Sequence, residues 1–380
     1  MKDITREMEI RQGMEKLWKE TFGDSDAYIK LVFDNYFDED LTATFIHEGE
    51  VKSALMGVPY LFKGGGSGAT LKGLYLCGLA TRQDMRGKGI MTSLLEEINK
   101  KALEKGFDFT FLVPASESLS QYYSDRHYHN AFYKIREHFV VDHDFKVHNM
   151  EKTVLKTFSG PSDSELLQFL MKNEQRDVNA AEGPENSPAR YDLVHSNKDW
   201  RAVLDEALIS DQPVKVLYSS EGDIRGVAFI EIKGTEVVVK RIILSDEKYR
   251  DIILHNLLKM PETERLTLIY NVGDTKDLTR IWQPFYMQNN AESAEYEDVA
   301  VVQAPFVSSG LAQPFGMCRI LDVRALLKKM EGVDGKKYDD FSDDELTALL
   351  LRKPMSDASD PIGELLGYIE LDLNASLLLE

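Results

Sequence analysis

The stretch Leu71–Phe132, LKGLYLCGLATRQDMRGKGIMTSLLEEINKKALEKGFDFTFLVPASESLSQYYSDRHYHNAF, decides how this chain folds. Its opening, Leu74–Thr81, is short and apolar, the pattern of a strand buried on both faces. A polar loop follows, and Arg86-Gly87-Lys88-Gly89 opens directly onto a helical pattern. From Ile90 the apolar residues Ile90, Met91, Leu94, Leu95, Ile98, Ala102 and Leu103 recur at the helical period, with Glu96, Glu97, Lys100, Lys101, Glu104 and Lys105 on the other side. Gly106 stands where a C-terminal cap belongs. Phe109–Val113 reads as a second short buried strand. The unit is therefore strand, cationic glycine loop, helix, strand.

Such a loop has a physical reason to hold an anion. The first amides of a helix lack intrahelical acceptors and carry the positive end of its dipole. Gly87 and Gly89 let a phosphate approach the backbone, and Arg86 and Lys88 add charge. The loop matches neither the P-loop pattern nor the three-glycine dinucleotide fingerprint. Taken alone, RGKG is equally well an ordinary strand-to-helix turn with charged edges.

With its flanks included, the stretch resembles the GNAT superfamily of N-acetyltransferases, whose acetyl-CoA loop reads Arg/Gln-x-x-Gly-x-Gly/Ala after a buried strand. Here that is Arg86-Gly87-Lys88-Gly89-Ile90-Met91. Met91 departs from the final Gly/Ala, and a large apolar residue there is typical of one subgroup, the enhanced-intracellular-survival (Eis)-like acetyltransferases. Tyr75–Thr81, Pro114-Ala115-Ser116-Glu117 and Tyr122-Tyr123 are similar to that subgroup as well. The resemblance is strong over roughly the first 150 residues and weaker beyond. It implies an α+β protein of tandem GNAT (acyl-CoA N-acyltransferase) folds, each a mixed, mostly antiparallel sheet flanked by helices, ending in a short sterol-carrier-like remnant.

Composition sets outer bounds. A chain of 380 residues accommodates two or three domains, and 43% hydrophobic with 29% charged residues is a globular balance. The net charge of −19 argues against a nucleic-acid partner and favours cationic acceptors, amines among them. The two cysteines, Cys77 and Cys318, allow no zinc spacing, and Cys77 reads as a small apolar residue within its strand. No metal site is expected: His127 and His129 lack further ligands around them and read as surface residues. The opening MKDITREMEIRQGMEKLW is charged, and no stretch has the length of a membrane span. A cytoplasmic location without membrane contact is expected, and a homo-oligomer is allowed.

In chain order, Ile4–Phe37 is helical in pattern, broken by Gly-Asp-Ser-Asp at 23–26. Asp24, Asp26 and Asp34 read first as cap and surface residues and second as contacts for a cationic acceptor. Ala43–His47, Val51–Phe62 and Thr70–Thr81 read as three antiparallel strands, the last two joined by a glycine turn at 64–68. A second unit begins near residue 151. Its strands Val214–Ser219, Ile224–Ile232 and Thr235–Ser245, helix Glu247–Met260 and strand Leu266–Tyr270 repeat the order of the first. Its loop, Leu244-Ser245-Asp246-Glu247-Lys248, has no glycine and carries two acids, so this copy is expected to bind no acetyl-CoA. The expected domains are 1–150 (catalytic), 151–303 (degenerate copy) and 304–380, a shortened sterol-carrier-like segment packed on the second unit.

The function implied is acetyl transfer from acetyl-CoA, as co-substrate, to a primary amine of a small molecule or a peptide lysine by direct attack. The resemblance places the cofactor on Leu79, Ala80, Thr81, Arg86, Gly87, Lys88, Gly89, Ile90 and Met91. It makes Tyr123, five residues before Tyr128, the proton donor to the leaving thiolate, and the terminal carboxylate of Glu380 the base. A non-catalytic acyl-CoA-binding or regulatory protein with the same fold is the alternative, and a scaffold that uses its tandem units for oligomer contacts is a third reading.

Overall fold

The structure, a computed structural model, describes residues 4–64, 70–145, 147, 152–160, 164–180, 189–210, 212–271, 313–330, 341–351 and 371–374. Helical spacing buries Ile10, Met14, Leu17 and Trp18 of α1 (Ile4–Phe22) against Ile29, Val32, Phe33 and Tyr36 of α2 (Asp26–Tyr36) and the sheet behind them. Ser25 starts α2 as its N-cap, its hydroxyl accepting the Tyr28 N–H. β1 (Thr42–His47), β2 (Glu50–Gly64) and β3 (Thr70–Thr81) form the expected antiparallel run. The expected glycine turn lies mostly on 65–69, outside the described residues.

A strand parallel to β3 requires a crossover, and α3 (Ile90–Glu104) provides it. β4 (Phe109–Leu112) returns beside β3, Gly73–Tyr75 facing Phe109–Phe111. The rings of Phe62, Phe109 and Phe111 meet edge-on here, Phe62 lying 5.1 Å from Phe109 and 5.5 Å from Phe111, all three essentially unexposed. α4 (Glu117–Ser124), capped by Ser116, leads to β5 (His129–Val140). In the turn between them His127 adopts φ +64, a left-handed position that favours glycine.

The second unit comprises β6 (Thr153–Thr157), α5 (Ser164–Ala180), β7 (Ala189–Val194), α6 (Asn197–Ile209), β8 (Val214–Ser219), β9 (Ile224–Lys233), β10 (Glu236–Leu244), α7 (Arg250–Leu258) and β11 (Arg265–Asn271). It repeats the first: β8, β9 and β10 are antiparallel, a helix crosses over, and β11 returns parallel to β10. Even the irregularity recurs. β3 carries an extra residue where Ala54 faces Ala80 and Met56 faces Cys77, and β10 carries one at Lys240, between Val239 and Arg241. The chain is a tandem of one mixed α+β fold. The expected helix from Glu247 to Met260 is shorter, a single 3₁₀ turn at Glu247–Tyr249 preceding α7.

The C-terminal segment corrects an expectation. It does not pack on the second unit alone: β12 (Gln313–Ile320) inserts antiparallel between β4 and β5. α8 (Val323–Lys329) and α9 (Asp343–Leu350) bury Leu326, Leu327, Leu346 and Leu350 in the core that holds Phe62, Phe109 and Phe111. Lys329 pairs with buried Asp108, whose other oxygen accepts the Lys72 N–H at 2.8 Å. The reason is the backbone of β4: a buried strand must have its amides and carbonyls paired on both edges, and β3 serves only one. β5 pairs onward with β11, so all thirteen described strands, with β13 (Leu371–Asn374) and β7 at one end, join one sheet.

Candidate active site

The sheet opens at one place in the first unit. β3 pairs with β4 only through Tyr75, so Leu76–Thr81 has β2 on one edge and, among the described residues, no strand on the other. In this splayed segment Gly78 and Leu79 together oppose Leu55, and Gly78 takes φ +62. A glycine inside an apolar strand is the sequence signal of such a bulge. The closed edge is held firmly: the Ser53 hydroxyl donates to the Ala80 carbonyl at 3.0 Å and lies 2.8 Å from Thr81 Oγ1, and the Arg82 N–H donates to the Lys52 carbonyl. The open edge therefore presents fixed backbone amides to whatever lies beside it. Cys77 lies in the same segment, and burial pushes its thiol up to about 12, so it stays protonated.

From Thr81 the chain makes a 3₁₀ turn at Gln83–Met85 and enters α3. Gly87 (φ +74) and Gly89 (φ +76) are exposed, with nothing within 4 Å of a Cβ at either, and Gly89 is the N-cap of α3. The first turn of α3 has no acidic residue. Arg86 Nε donates to the Thr81 carbonyl at 3.0 Å, which ties the loop to the end of the strand, and Lys88 reaches Met85 Sδ. An anion at this helix start would meet amides, the dipole and cationic side chains together.

α4 brings the third element. Tyr123 is 7% exposed and packs in one apolar cluster with Leu76, Leu94 and Tyr128, against which Leu79, Ile90, Met91 and Tyr122 also lie. Of the proposed cofactor residues, Leu79, Ile90 and Met91 thus pack on the same apolar cluster as the proposed donor. Burial first, and the neighbouring tyrosines second, raise the Tyr123 hydroxyl above its ordinary range, which keeps it a neutral phenol. Tyr122 points at α3, its hydroxyl 3.2 Å from Thr92 Oγ1. The Arg126 guanidinium stacks 3.5 Å above the Tyr122 ring and donates to Thr92. Arg126 and Thr92 are residues that sequence reading missed: they place a further cation beside the first turn of α3, and only the packing of α4 on α3 reveals it.

Other candidates fall out differently. Asp24 accepts the Trp18 indole N–H at 2.7 Å, Asp26 pairs with Lys19, and Asp34 pairs with Arg11 and Lys30. All three carboxylates are engaged within the α1–α2 pair, the first of their two readings. Glu380 lies outside the described residues. In the second unit the place of the glycine loop is taken by Asp246, whose carboxylate accepts the Lys248 N–H at 3.0 Å, while Arg176 binds the carbonyls of Leu244 and Ser245. Asp246 thus takes up, with its own carboxylate, the Lys248 N–H that an anion there would need.

A strand with a free, bulged edge running into a glycine-capped helix is the frame of an acyl-CoA-using transferase. Residues 5–129 match the family model described as an acetyltransferase (GNAT) domain. That match and the structural likenesses below support an acyltransferase. Among solved structures, the chain is similar to a probable N-acyltransferase from Enterococcus faecalis V583 at 12% identity, covering 84% of this chain and 72% of that one with a TM-score of 0.59. It is likewise similar to Eis1 from Mycobacterium abscessus (11% identity, 84% and 73% covered, TM-score 0.56). A third is a GCN5-related N-acetyltransferase from Anabaena variabilis (13%, 84% and 72%, TM-score 0.58). At these identities the likeness is one of fold. No curated protein sequence matches the chain. Among the described residues no helix is long and apolar enough to cross a membrane.

Proposed function

We propose that the chain is an acetyl-CoA-dependent N-acetyltransferase acting on a primary amine of a small molecule or a peptide lysine. The observation that carries this reading is the continuity of the free edge at Leu76–Thr81 with the exposed, glycine-capped start of α3. The pantetheine arm lies along the free edge as an added strand, and the pyrophosphate sits on the amides of Gly87–Met91. A neutral amine attacks the thioester carbonyl, whose electron pair moves onto oxygen. A backbone N–H near Leu79 stabilises that oxyanion, in general the largest catalytic contribution. Collapse breaks the C–S bond, and the Tyr123 hydroxyl protonates the departing thiolate. The proton released by the amine nitrogen goes to a base, for which Glu380 is the candidate. Only the first unit takes the cofactor, because Asp246 fills the corresponding place in the second.

Calorimetry with acetyl-CoA, followed by thiol release over a panel of amines, tests this reading. One equivalent bound per chain with turnover on at least one amine is the expected result. Binding without turnover on any acceptor would favour the non-catalytic acyl-CoA binder, and two equivalent sites would remove the claim that the second unit is degenerate.

A further inference from the structure

In this acidic chain Arg11, Arg82, Arg265 and Arg319 each find a carboxylate. Arg86 and Arg126 have none among the described residues, and both stand at the start of α3, one before it in the chain and one across from it beyond α4. Arg126 is half-buried and its guanidinium is fixed. Nε and Nη2 donate to Thr92 Oγ1 at 3.0 and 2.8 Å, Nη1 donates to the Tyr122 carbonyl, and the group stacks 3.5 Å above the Tyr122 ring. Glu96 lies one turn further along α3, with both oxygens held by Arg319. The charge of Arg126 therefore stays open, and these bonds leave guanidinium N–H groups to spare.

Beside the guanidinium lies open backbone. The first hydrogen bond of α3 runs from the Ser93 N–H to the Gly89 carbonyl at 3.1 Å, so the amides of Ile90, Met91 and Thr92 have no acceptor among the described residues. Helical side chains lean toward the N-terminus, so Thr92 holds Arg126 on the side to which these amides point. Covalent geometry keeps Nη2 within about 7 Å of the Thr92 amide nitrogen, and one phosphate accepting at about 2.9 Å from each group spans that distance. We propose that Arg126 is a phosphate-binding residue of the acyl-CoA site, joining the open amides of α3 to hold one phosphate of the cofactor from the α4 side. The inference rests on the acyl-transfer reading above. A planar cation pinned by Thr92 loses little freedom when the ligand arrives. Because Arg126 follows Tyr123 by three residues, one segment holds both the phosphate and the proton donor.

The test compares acetyl-CoA, acetyl-3′-dephospho-CoA and acetyl-pantetheine, which carries no phosphate, by calorimetric affinity and by kcat and KM on wild type, Arg126→Gln, Arg126→Lys and Thr92→Val. Arg126→Gln should weaken acetyl-CoA about tenfold or more, the loss expected of hydrogen bonds between charged groups, and leave acetyl-pantetheine and kcat within about threefold. Arg126→Lys, which keeps the charge without the planar fork, should lose less. The dephospho compound names the phosphate: if Arg126→Gln erases the preference of wild type for acetyl-CoA over it, Arg126 holds the 3′-phosphate, and if both weaken alike, the diphosphate. Should Arg126→Gln fail to fold, Thr92→Val frees the guanidinium and should weaken acetyl-CoA in the same direction without touching acetyl-pantetheine. Acetyl-CoA affinity within about threefold of wild type in every folded variant overturns the assignment. So do equal losses with acetyl-CoA and acetyl-pantetheine, which would mark Arg126 as a tie between α4 and α3 only. Gly89→Asp separates the two levels of the argument. If it abolishes acetyl-CoA binding while Arg126→Gln does nothing, the result counts against Arg126 alone; if wild type binds no acyl-CoA, the acyl-transfer reading falls and this inference with it.

Discussion

Replacing Gly89 by Asp puts a carboxylate at the start of α3, and the structure says what that costs. Gly89 sits at φ +76, ψ 4 with nothing within 4 Å of a Cβ, so the new side chain meets open space. The left-handed backbone penalises a non-glycine residue by about 1 kcal/mol, of which an Asp at the N-cap offsets at most roughly a few tenths. Stability should therefore change by no more than about 1 kcal/mol. Binding should change far more. A carboxylate about 5 Å from a pyrophosphate oxygen, at an effective dielectric between about 20 and 80, repels it by about 1–3 kcal/mol. The carboxylate also competes for amides that would bond the charged phosphate, each such bond contributing about 1.5–3 kcal/mol. Together these give about 3–5 kcal/mol, a loss of affinity of about 100-fold or more. Calorimetry with acetyl-CoA beside a thermal melt of the same variant measures both. Gly89→Ala is the control, carrying the backbone strain without the charge, and it should lose much less affinity. An Asp variant that binds within about threefold of wild type would show that the pyrophosphate does not lie on α3.

Tyr123→Phe should lower kcat on the order of 10²-fold with acetyl-CoA affinity nearly unchanged, while Tyr122→Phe, whose hydroxyl faces Thr92, should affect turnover little; equal effects in stopped assays would remove Tyr123 from the mechanism. His127→Gly should stabilise the fold by about 1 kcal/mol in urea melts, because φ +64 is strained for histidine and natural for glycine; a lower melting midpoint would contradict this. The last prediction concerns pH. Burial would by itself raise the Glu174 carboxyl, yet His195, 2.8 Å away, and Arg241, 3.0 Å away, hold it below its ordinary value near 4.5. A folded pKa below the unfolded one means that this contribution to stability is complete above the unfolded value and fades as pH falls through the folded one. Glu174→Gln should cost about 3–5 kcal/mol near neutrality, leaving the partly buried Arg241 guanidinium without its carboxylate, and it should flatten the acid limb of stability; an acid limb of unchanged slope in urea melts would refute the assignment.

Local order was legible because it is written in local spacing. The run Leu74–Thr81, the glycine loop and the helical period from Ile90 each lie within a few residues, and the structure shows β3, α3 and β4 where those patterns place them. The repeat in the second unit was legible from element order for the same reason. Helices α5 and α6 obey the helical period too, with Leu166, Leu167 and Leu170 buried in one and Trp200, Val203 and Leu204 in the other. Reading 153–210 for periodicity would have found them. The glycine-loop half of the candidate site is local, and so was nameable residue by residue.

What the sequence alone did not determine is everything that depends on which distant segments satisfy an open edge or an open face. That β12 closes the gap between β4 and β5 follows from unpaired backbone that must be bonded, and nothing in QPFGMCRI names its neighbours. That Arg126 lies beside Thr92 depends on how α4 settles on α3, and that Trp18 covers Gly78 depends on where α1 crosses the sheet. Chemistry carried by a loop is set by neighbours in the chain. The shape of the pocket around it is set by neighbours in space, through side-chain volumes and hydrogen bonds that no local pattern encodes.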